Sequence, residues 1–251
     1  MTQKNRKGRN MYKNILFDLY GTLIDIRTNE DKPELWANIA LLYGYKGAVY
    51  TADELKSDYE KYVAECKEKI RKEYPRHKEI DIPIEEVFEK LFKAKDVKCT
   101  QADIKYIAAA FRSISTDMIK LYDGVTDLLE SLKKAGKKIY LLSNAQSYFT
   151  INEMNMLGIT KYFDDIFISS DHRVSKPDPI YFEKLIDKHN LDKKETIMVG
   201  NDWISDMQGA AAAGIDGLYI HQEISSEITG ELQAKWSIMD GDVTKMKQYL
   251  I

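Results

Sequence analysis

Polar side chains that could do chemistry together lie in four short segments of the chain. In chain order the segments contain Asp18 with Thr22, Ser143 with Asn144, Lys176, and Asp202 with Asp206. A carboxylate can attack an electrophilic phosphorus or carbon atom, and Asp18 is the candidate nucleophile. Lys176 offers a fixed positive charge beside it. Hydroxyl and amide groups can hydrogen-bond the oxygens of a transferring group, which is the role expected of Thr22, Ser143 and Asn144.

Asp202 and Asp206 are four residues apart at the predicted start of a helix, so they are expected to share one helix face. Together with Asp18 they are expected to place three carboxylates in one crevice. Three anions at close range repel one another unless a lysine or a cation offsets their charge. Mg²⁺ prefers oxygen ligands and bridges carboxylates to substrate phosphate, so Mg²⁺ is the expected cofactor.

The apolar segments around these residues predict a buried parallel sheet. Strands are expected at 15–17, 139–142, 166–168, 197–199 and 218–220, with an edge strand at 236–239, and helices at 124–135, 145–156, 179–189, 202–213 and 243–250. Short apolar strands separated by helices are typical of a parallel sheet that is covered on both faces. Because the carboxyl ends of parallel strands meet at one edge, the four polar segments are expected to share one crevice.

The stretch from Ile24 to Leu121 predicts helices and no strand. Its apolar positions follow helical spacing near 32–43, from Thr51 to Pro75, near 84–92 and after Thr100. Four such helices can bury a core of their own. We therefore predict an α/β protein with a Rossmann-like core at residues 11–23 and 122–251, and a helical cap domain inserted at residues 24–121. Residues 1–10 are polar and basic and are expected to be a disordered tail.

The composition is that of an ordinary soluble globular protein. The chain has 251 residues, 44% of them hydrophobic and 31% charged, and a formal net charge of −3. So small a net charge does not favour a nucleic acid or an anionic membrane as a partner. Cys66 and Cys99 are too few for a disulfide framework or a zinc site, and no membrane span or signal peptide is visible. We expect a cytoplasmic monomer that acts on a small molecule.

Three residues beside the polar segments are assigned structural roles. Asp178 precedes Pro179 and is expected to cap the helix that begins there. Asn201 is expected to be structural, and Gly21 is expected to relax the turn after Asp18 without touching substrate.

The motifs and their order resemble those of the haloacid dehalogenase-like hydrolase superfamily. They read Asp18-Leu19-Tyr20-Gly21-Thr22, Ser143-Asn144, Lys176-Pro177, and Gly200-Asn201-Asp202 with Asp206, and the resemblance covers essentially the whole chain from Met11. The resemblance implies a Rossmann-like core, a mobile helical cap of the C1 type and an aspartyl-enzyme intermediate. It also implies that Asp18 is the nucleophile, that Ser143 and Lys176 hold the transferring group, and that Asp202 and Asp206 serve the metal.

Tyr20 departs from the pattern of the family's phosphatases, which normally have a second aspartate at this position. That aspartate protonates the leaving group and then activates water. A phenol with an ordinary pKa near ~10 is a poor base at neutral pH, so Tyr20 cannot easily repeat this role. The family's metal contact at this position is the backbone carbonyl, which Tyr20 still supplies. We therefore place Tyr20 among both the catalytic and the metal-binding residues.

A tyrosine at this position resembles the 2-haloacid dehalogenase branch, in which the aspartate displaces halide from carbon without a metal. Other residues fit that branch poorly. Its halide arginine is missing from the cap, where this chain has Ala48-Val49-Tyr50, and its later tyrosine is replaced by Phe182. Its last motif has one aspartate where this chain has two. We therefore favour a Mg²⁺-dependent phosphatase of a small phosphorylated metabolite. One alternative is a dehalogenase. The other is a non-catalytic binder of phosphorylated ligands, and Tyr20 is the only residue that supports this binder.

Overall fold

The structure is a computed structural model that describes residues 12–251. The tail expected at residues 1–10, together with residue 11, lies outside the described residues. The strands are β1 (Asn14–Phe17), β2 (Ile24–Thr28), β3 (Thr116–Leu121), β4 (Lys138–Ser143), β5 (Asp165–Ile168), β6 (Thr196–Gly200), β7 (Asp216–Ile220) and β8 (Trp236–Ile238). The helices are α1 (Pro33–Tyr45), α2 (Ala52–Glu73), α3 (Ile84–Lys93), α4 (Gln101–Ser115), α5 (Val125–Lys134), α6 (Ser147–Met156), α7 (Ser169–His172), α8 (Pro179–His189), α9 (Gly209–Ala213) and α10 (Lys247–Leu250).

Six strands within residues 12–251 form one parallel sheet in the order β5-β4-β1-β6-β7-β8. The first strand of the chain lies at the centre of this sheet, between β4 and β6. The sheet is therefore completed by the part of the chain that follows the helical insertion. This arrangement confirms the predicted α/β fold with a Rossmann-like core, and β8 confirms the predicted edge strand.

Successive residues of the central strands point to opposite faces of the sheet. On one face, Phe17 and Val199 lie in a buried cluster with Leu128 of α5. On the other face, Leu16 and Met198 lie in a second buried cluster with residues of α8 and α9. Because both faces are covered, the strands are nearly continuous apolar runs, which is why the sequence predicts them well.

The helices α1–α4, which we call the helical lobe, bury a third hydrophobic cluster. Its centre is aromatic, with Trp36, Tyr59, Phe88 and Phe111 in contact at ring-centroid separations of 5.2 to 6.2 Å. Aromatic side chains bury a large apolar area and prefer such offset or tilted contacts. The lobe therefore has the core of its own that its helical periodicity predicts.

The prediction that residues 24–121 contain no strand was wrong. The strands β2 and β3 form a two-stranded antiparallel ribbon at the two ends of this insertion, with Ile24 opposite Leu121. Apolar side chains of this ribbon, such as Ile26 and Ile119, pack against the cluster on one face of the main sheet. Short, half-exposed strands give too few alternating positions to be recognised in a sequence, and their pairing partners are distant in the chain. The domain boundaries at 24 and 121 stay a prediction.

The segment after β6 also differs from its prediction as one regular helix over 202–213. A π-helical turn, Trp203–Gln208, comes first and α9 follows it. At the end of the chain, the helix predicted at 243–250 is a 3₁₀ turn, Val243–Met246, followed by α10. None of the helices described between residues 12 and 251 is long and apolar enough to cross a membrane.

Candidate active site

The nucleophile candidate Asp18 lies at the carboxyl end of the central strand β1. In the sheet Phe17 is level with Leu141 of β4 and Val199 of β6. The Asp18 main-chain N–H continues this pairing by donating to the Val199 carbonyl at 2.9 Å. The chain then turns away at Gly21, so the Asp18 side chain is left at the strand edge. The expectation that these strand ends converge on one crevice is confirmed.

A lysine lies between two carboxylates at this edge. Lys176 Nζ donates to Asp18 Oδ1 at 2.7 Å and to Asp206 Oδ1 at 2.6 Å. Lys176 is 3% exposed and Asp206 is 1% exposed, so the charges interact with little screening by water. Burial opposes the positive charge of Lys176, but the two carboxylates outweigh it and raise the lysine pKa above its ordinary value. Burial raises the pKa of Asp206, against the opposing effect of Lys176.

Asn144 holds the main chain of Lys176. Its carboxamide Oδ1 accepts from the Lys176 N–H at 2.8 Å, and its Nδ2 donates to the Lys176 carbonyl at 2.9 Å. The sequence predicts that the Asn144 side chain binds phosphate directly. In the structure, both of its polar atoms instead bond the main chain of Lys176 and so position the lysine. The preceding Ser143 is buried, and its hydroxyl lies 3.3 Å from Asp18 Oδ1. This is the position that a hydrogen-bond donor to a transferring group needs.

The two aspartates of the last motif are bonded to each other at the start of the π-helical turn after β6: the Asp202 N–H donates to Asp206 Oδ2 at 2.9 Å, and the Asp206 N–H donates to the Asp202 carbonyl at 3.1 Å. The Met207 N–H reaches the Asp202 carbonyl, five residues back, at 3.3 Å. Asp202 caps this turn: its Oδ1 accepts from the main-chain N–H groups of Ile204 and Ser205, and its Oδ2 accepts from Ser226 Oγ. The Asp206 carboxylate instead lies against Gly200 and Lys176, and a Cβ at Gly200 would overlap it.

The hydroxyl of Thr22 lies between Asp18 and Asn201. Thr22 Oγ1 is 3.3 Å from Asp18 Oδ2 and 3.2 Å from Asn201 Oδ1. The Asn201 amide nitrogen in turn donates to Ser225 Oγ at 3.3 Å. Gly21 has a φ of 80°, and a Cβ there would overlap the Asn201 carboxamide. The missing side chain of Gly21 therefore leaves space for Asn201 beside Asp18, and its positive φ forms the turn.

The expected gathering of three carboxylates is met by Asp18 and Asp206, which share Lys176, whereas the Asp202 carboxylate is used as a cap. No group of three or more His, Cys, Asp or Glu side chains in the part of the chain that the structure describes is arranged to hold a metal ion. A different set of oxygens fits a hard cation. The single proton of Thr22 cannot satisfy both Asp18 Oδ2 and Asn201 Oδ1, so lone pairs of a carboxylate and an amide oxygen remain available. Oxygen donors of this kind suit Mg²⁺.

The phenol of Tyr20 is part of a polar cluster between the core and the helical lobe. Its hydroxyl donates to Glu153 Oε2 and lies 2.9 Å from Thr150 Oγ1, both on α6. The other oxygen of Glu153 accepts from Arg112 Nε of α4, and the Arg112 guanidinium carbon is 5.6 Å from the Tyr20 ring centre. Burial, and then the negative charge of Glu153, raise the pKa of Tyr20. At neutral pH this phenol is a protonated donor that is committed to Glu153.

Sequence reasoning missed the contacts of Asn201, Glu153 and Arg112. Asn201 could have been found, because it directly follows a predicted strand at the edge where the other site residues gather. Glu153 and Arg112 carry no such signal, since charged residues on amphipathic helices are most often solvated. Only the packing of α4 against α6 buries this pair beside Tyr20.

An α/β core that gathers a candidate nucleophile, a lysine and an acid at one edge of its sheet is typical of a class of hydrolase. A family profile described as haloacid dehalogenase-like hydrolase matches residues 12–214. The chain therefore belongs to the haloacid dehalogenase-like hydrolases, and the resemblance noted from its motifs is confirmed.

Individual relatives are more distant. Over 213 residues the chain is 26% identical to the pyrimidine 5′-nucleotidase PynA of Streptococcus pneumoniae, covering 83% of each chain. Among solved structures, a phosphatase of the family from Thermococcus onnurineus superposes with a TM-score of 0.58 at 18% identity, over 94% of this chain and 96% of the other. A dehalogenase in an intermediate complex superposes with a TM-score of 0.57 at 16% identity, over 96% and 98%. The two structural likenesses support the fold alone.

Proposed function

We propose that this protein is a Mg²⁺-dependent phosphatase that hydrolyses a small phosphorylated metabolite through an aspartyl-phosphate on Asp18. The observation that carries this proposal is the buried ion pair between Lys176 and Asp18, with Asp206 on the other side of the ammonium group. Lys176 orients the Asp18 carboxylate at the strand edge, where it can act as a nucleophile. The similarity to a nucleotidase supports a phosphorylated substrate.

The chain's own residues have the following roles in the proposal. A carboxylate oxygen of Asp18 attacks phosphorus, forming an O–P bond while the bond from phosphorus to the leaving oxygen breaks. Ser143 and Lys176 hydrogen-bond the oxygens of the phosphoryl group as charge develops on them. Thr22 contributes a further hydroxyl, and Asn144 acts by holding the main chain of Lys176. Water then attacks the aspartyl-phosphate and releases phosphate from Asp18.

We propose that Asp18, the Tyr20 carbonyl and Asn201 would hold Mg²⁺, and that Asp202 and Asp206 would add negative charge near it. When bound, the ion would neutralise charge on the phosphoryl oxygens. Asn201 joins this set on its contact with Thr22, although the sequence suggested a structural role for it. The helical lobe acts in this proposal as the cap that closes the site and selects the substrate.

An assay with two substrates tests this function against its alternatives. The purified protein is incubated with an aryl phosphate and with 2-chloropropionate, each with Mg²⁺ and with a chelator. We expect release of phosphate that depends on Mg²⁺ and stops with the chelator. Release of chloride that survives the chelator would instead identify a dehalogenase. Binding of a phosphate analogue that requires Mg²⁺, with no turnover of either substrate, would identify a non-catalytic binder.

Replacing Tyr20 with aspartate is expected to raise phosphatase turnover. An aspartic acid at this position restores the leaving-group acid that the phenol, committed to Glu153, does not supply. General acid–base catalysis typically contributes ~10²–10⁴-fold, which is the ceiling for the gain. The gain should be largest for alkyl phosphates, whose leaving groups need protonation most, so the dependence of kcat/KM on leaving-group pKa should flatten.

The matched control for this prediction is Tyr20→Phe. Phenylalanine keeps the ring beside Arg112 and removes the hydroxyl that binds Glu153 and Thr150. We expect no comparable gain from it. If aspartate and phenylalanine both lower turnover to the same extent, the tyrosine is needed for its contact with Glu153 and is not a missing acid.

A further inference from the structure

Residues 77–84 follow α2 and end at the first residue of α3. They lie against the core, and we call them the docking segment. Cross-contacts to the core come from His77, Lys78, Glu79, Asp81 and Ile84. The partners are Gln146 and Ser169 in one part of the core and residues 173–178 in another. The second of these, which we call the lysine loop, contains Lys176. The helical lobe is thus hydrogen-bonded to the loop that carries the catalytic lysine.

The docking segment and the lysine loop also contact each other through the main chain of the loop. The Ser175 N–H donates to the Glu79 carbonyl at 3.1 Å. His77 Nδ1 lies 2.9 Å from the Arg173 carbonyl. Ser175 immediately precedes Lys176, so this pairing lies one residue from the lysine whose main chain Asn144 holds from the other side. The position of Lys176 therefore depends on contacts from both the core and the helical lobe.

Asp178 is the residue that joins the two segments. Its Oδ1 accepts from the Ile180 N–H at 3.0 Å, which caps α8 as the sequence predicts. Its Oδ2 accepts from the main-chain N–H groups of Lys78 at 2.6 Å and Glu79 at 3.4 Å. Asp178 is 2% exposed, so this charged acceptor is buried between the lobe and the core. The helix cap uses one oxygen of the carboxylate, and the docking segment takes the other.

A second contact lies next to Ser143. Asp81 inserts its carboxylate into the core, where it accepts from Ser169 Oγ and from Gln146 Nε2, the latter at 3.2 Å. Gln146 returns a bond to the lobe, since its Oε1 accepts from the Ile84 N–H at 2.9 Å. Gln146 lies three residues after Ser143. The docking segment is thereby bonded both to the lysine loop and to Gln146, close in sequence to Ser143.

We propose that Asp178 is a positioning residue that couples docking of residues 77–84 to the placement of Lys176 against Asp18. This inference rests on the proposed phosphatase function. When the docking segment is bonded to Asp178, the lysine loop is held on both sides and Lys176 Nζ stays within hydrogen-bond reach of Asp18. When the segment leaves, the loop loses these bonds and keeps its contacts to the core and the ion pair of Arg173 with Glu86 of α3. Closure of the lobe on the core then also completes the site. A catalytic group displaced by about 1 Å lowers the reaction rate about 10²-fold, so loss of docking should slow turnover.

Asp178→Asn separates the two functions of this side chain. The asparagine Oδ1 can still accept from Ile180, so the cap of α8 is kept. Its Nδ2 is a donor and would face the two N–H donors of Lys78 and Glu79, so the contact to the lobe is lost. The matched control is Asp192→Asn, because Asp192 caps the 3₁₀ turn Lys193–Glu195 by accepting from Lys194 and is exposed. Asp81→Ala is a second variant, which removes contacts of the docking segment to Ser169 and Gln146 without any substitution in the lysine loop.

The first measurement is hydrogen–deuterium exchange of the docking segment and the lysine loop, which needs no activity. In Asp178→Asn we expect exchange to rise about tenfold or more in both segments, and to stay at wild-type rates in the control. Asp81→Ala should raise exchange in the same two segments. If the docking segment exchanges faster while the lysine loop keeps its wild-type rate, the coupling is refuted. If neither segment changes, Asp178 does not hold the lobe.

The second measurement is the steady-state kinetics of the same variants with an aryl phosphate. We expect kcat to fall by about 10²-fold in Asp178→Asn, with a smaller change in KM, because the lysine is misplaced in the reacting complex. A wild-type kcat together with faster exchange in both segments would show that docking does not position Lys176. If the wild-type protein releases no phosphate, the proposed function fails, and the exchange experiment still decides whether the two segments are coupled.

Discussion

Asp18→Asn is expected to abolish phosphate release. Asparagine has nearly the shape of aspartate but cannot form the aspartyl-phosphate, so kcat should fall on the order of 10⁶-fold, as when a nucleophile is removed from a catalytic unit. Lys176 would keep Asp206 as its partner, so the fold should survive. The measurement is phosphate release under saturating Mg²⁺. Mass spectrometry of acid-quenched wild-type protein should also find one phosphoryl group on the Asp18 peptide, absent from the variant.

Asp242→Asn is a suitable control for this variant. Asp242 caps the 3₁₀ turn near the end of the chain by accepting from Thr244, far in sequence from the candidate site residues. The same charge is removed, and we expect wild-type turnover. Phosphate release by Asp18→Asn at more than a trace of the control rate would mean that water attacks phosphorus directly, or that another residue is the nucleophile.

Lys176→Met is expected to destabilise the protein as well as inactivate it. Methionine has a similar length and no charge, so the buried carboxylates of Asp18 and Asp206 would face each other without the ammonium group. Removing one partner from a buried ion pair typically costs about 3–5 kcal/mol in the free energy of unfolding. Loss of a donor to the phosphoryl oxygens should lower kcat by about 10²–10³-fold. Denaturant unfolding and phosphate release measure the two effects.

The double variant Lys176→Met with Asp206→Asn separates these two effects. Replacing the second carboxylate removes the repulsion that the methionine leaves, so part of the lost stability should return. Activity should not return, because Asp18 still lacks its positive partner. Equal stability of the single and double variants would show that Asp206 contributes no charge repulsion at this site, and recovery of turnover would show that Lys176 acts only on stability.

The main sheet could be predicted because its strands are local patterns. Ile15-Leu16-Phe17 and Ile197-Met198-Val199 are apolar runs, and burial on both faces demands such runs. A parallel sheet then brings their carboxyl ends to one edge, so the proximity of Asp18, Ser143 and Lys176 follows from the predicted topology. The ribbon of β2 and β3 could not be predicted in this way, because its stability comes from pairing between distant, half-exposed positions.

The direction of each polar side chain at that edge was not predictable. Asp202 and Asp206 are four residues apart, and a regular helix would place them on one face. Asp202 instead precedes the π-helical turn and caps it, while the Asp206 carboxylate accepts from Lys176 and from the Asp202 N–H. Asn201 has the appearance of a structural residue in the sequence, and only the close approach of Gly21 brings it to Thr22.

The sequence by itself determined the fold class, the nucleophile candidate and the lysine, because these depend on residue types at strand ends. The tertiary structure decided what Tyr20 and Asp178 contact. Tyr20 was the one position in the motifs that disagreed with a phosphatase, and its phenol is bonded to Glu153 of α6, with Arg112 of α4 behind it. Asp178 was a helix cap in the sequence and is also the acceptor for the docking segment. Both contacts join parts of the chain that are far apart. The contact of Tyr20 with Glu153 forms within the core, and the contact of Asp178 with the docking segment forms only when the helical lobe packs on the core.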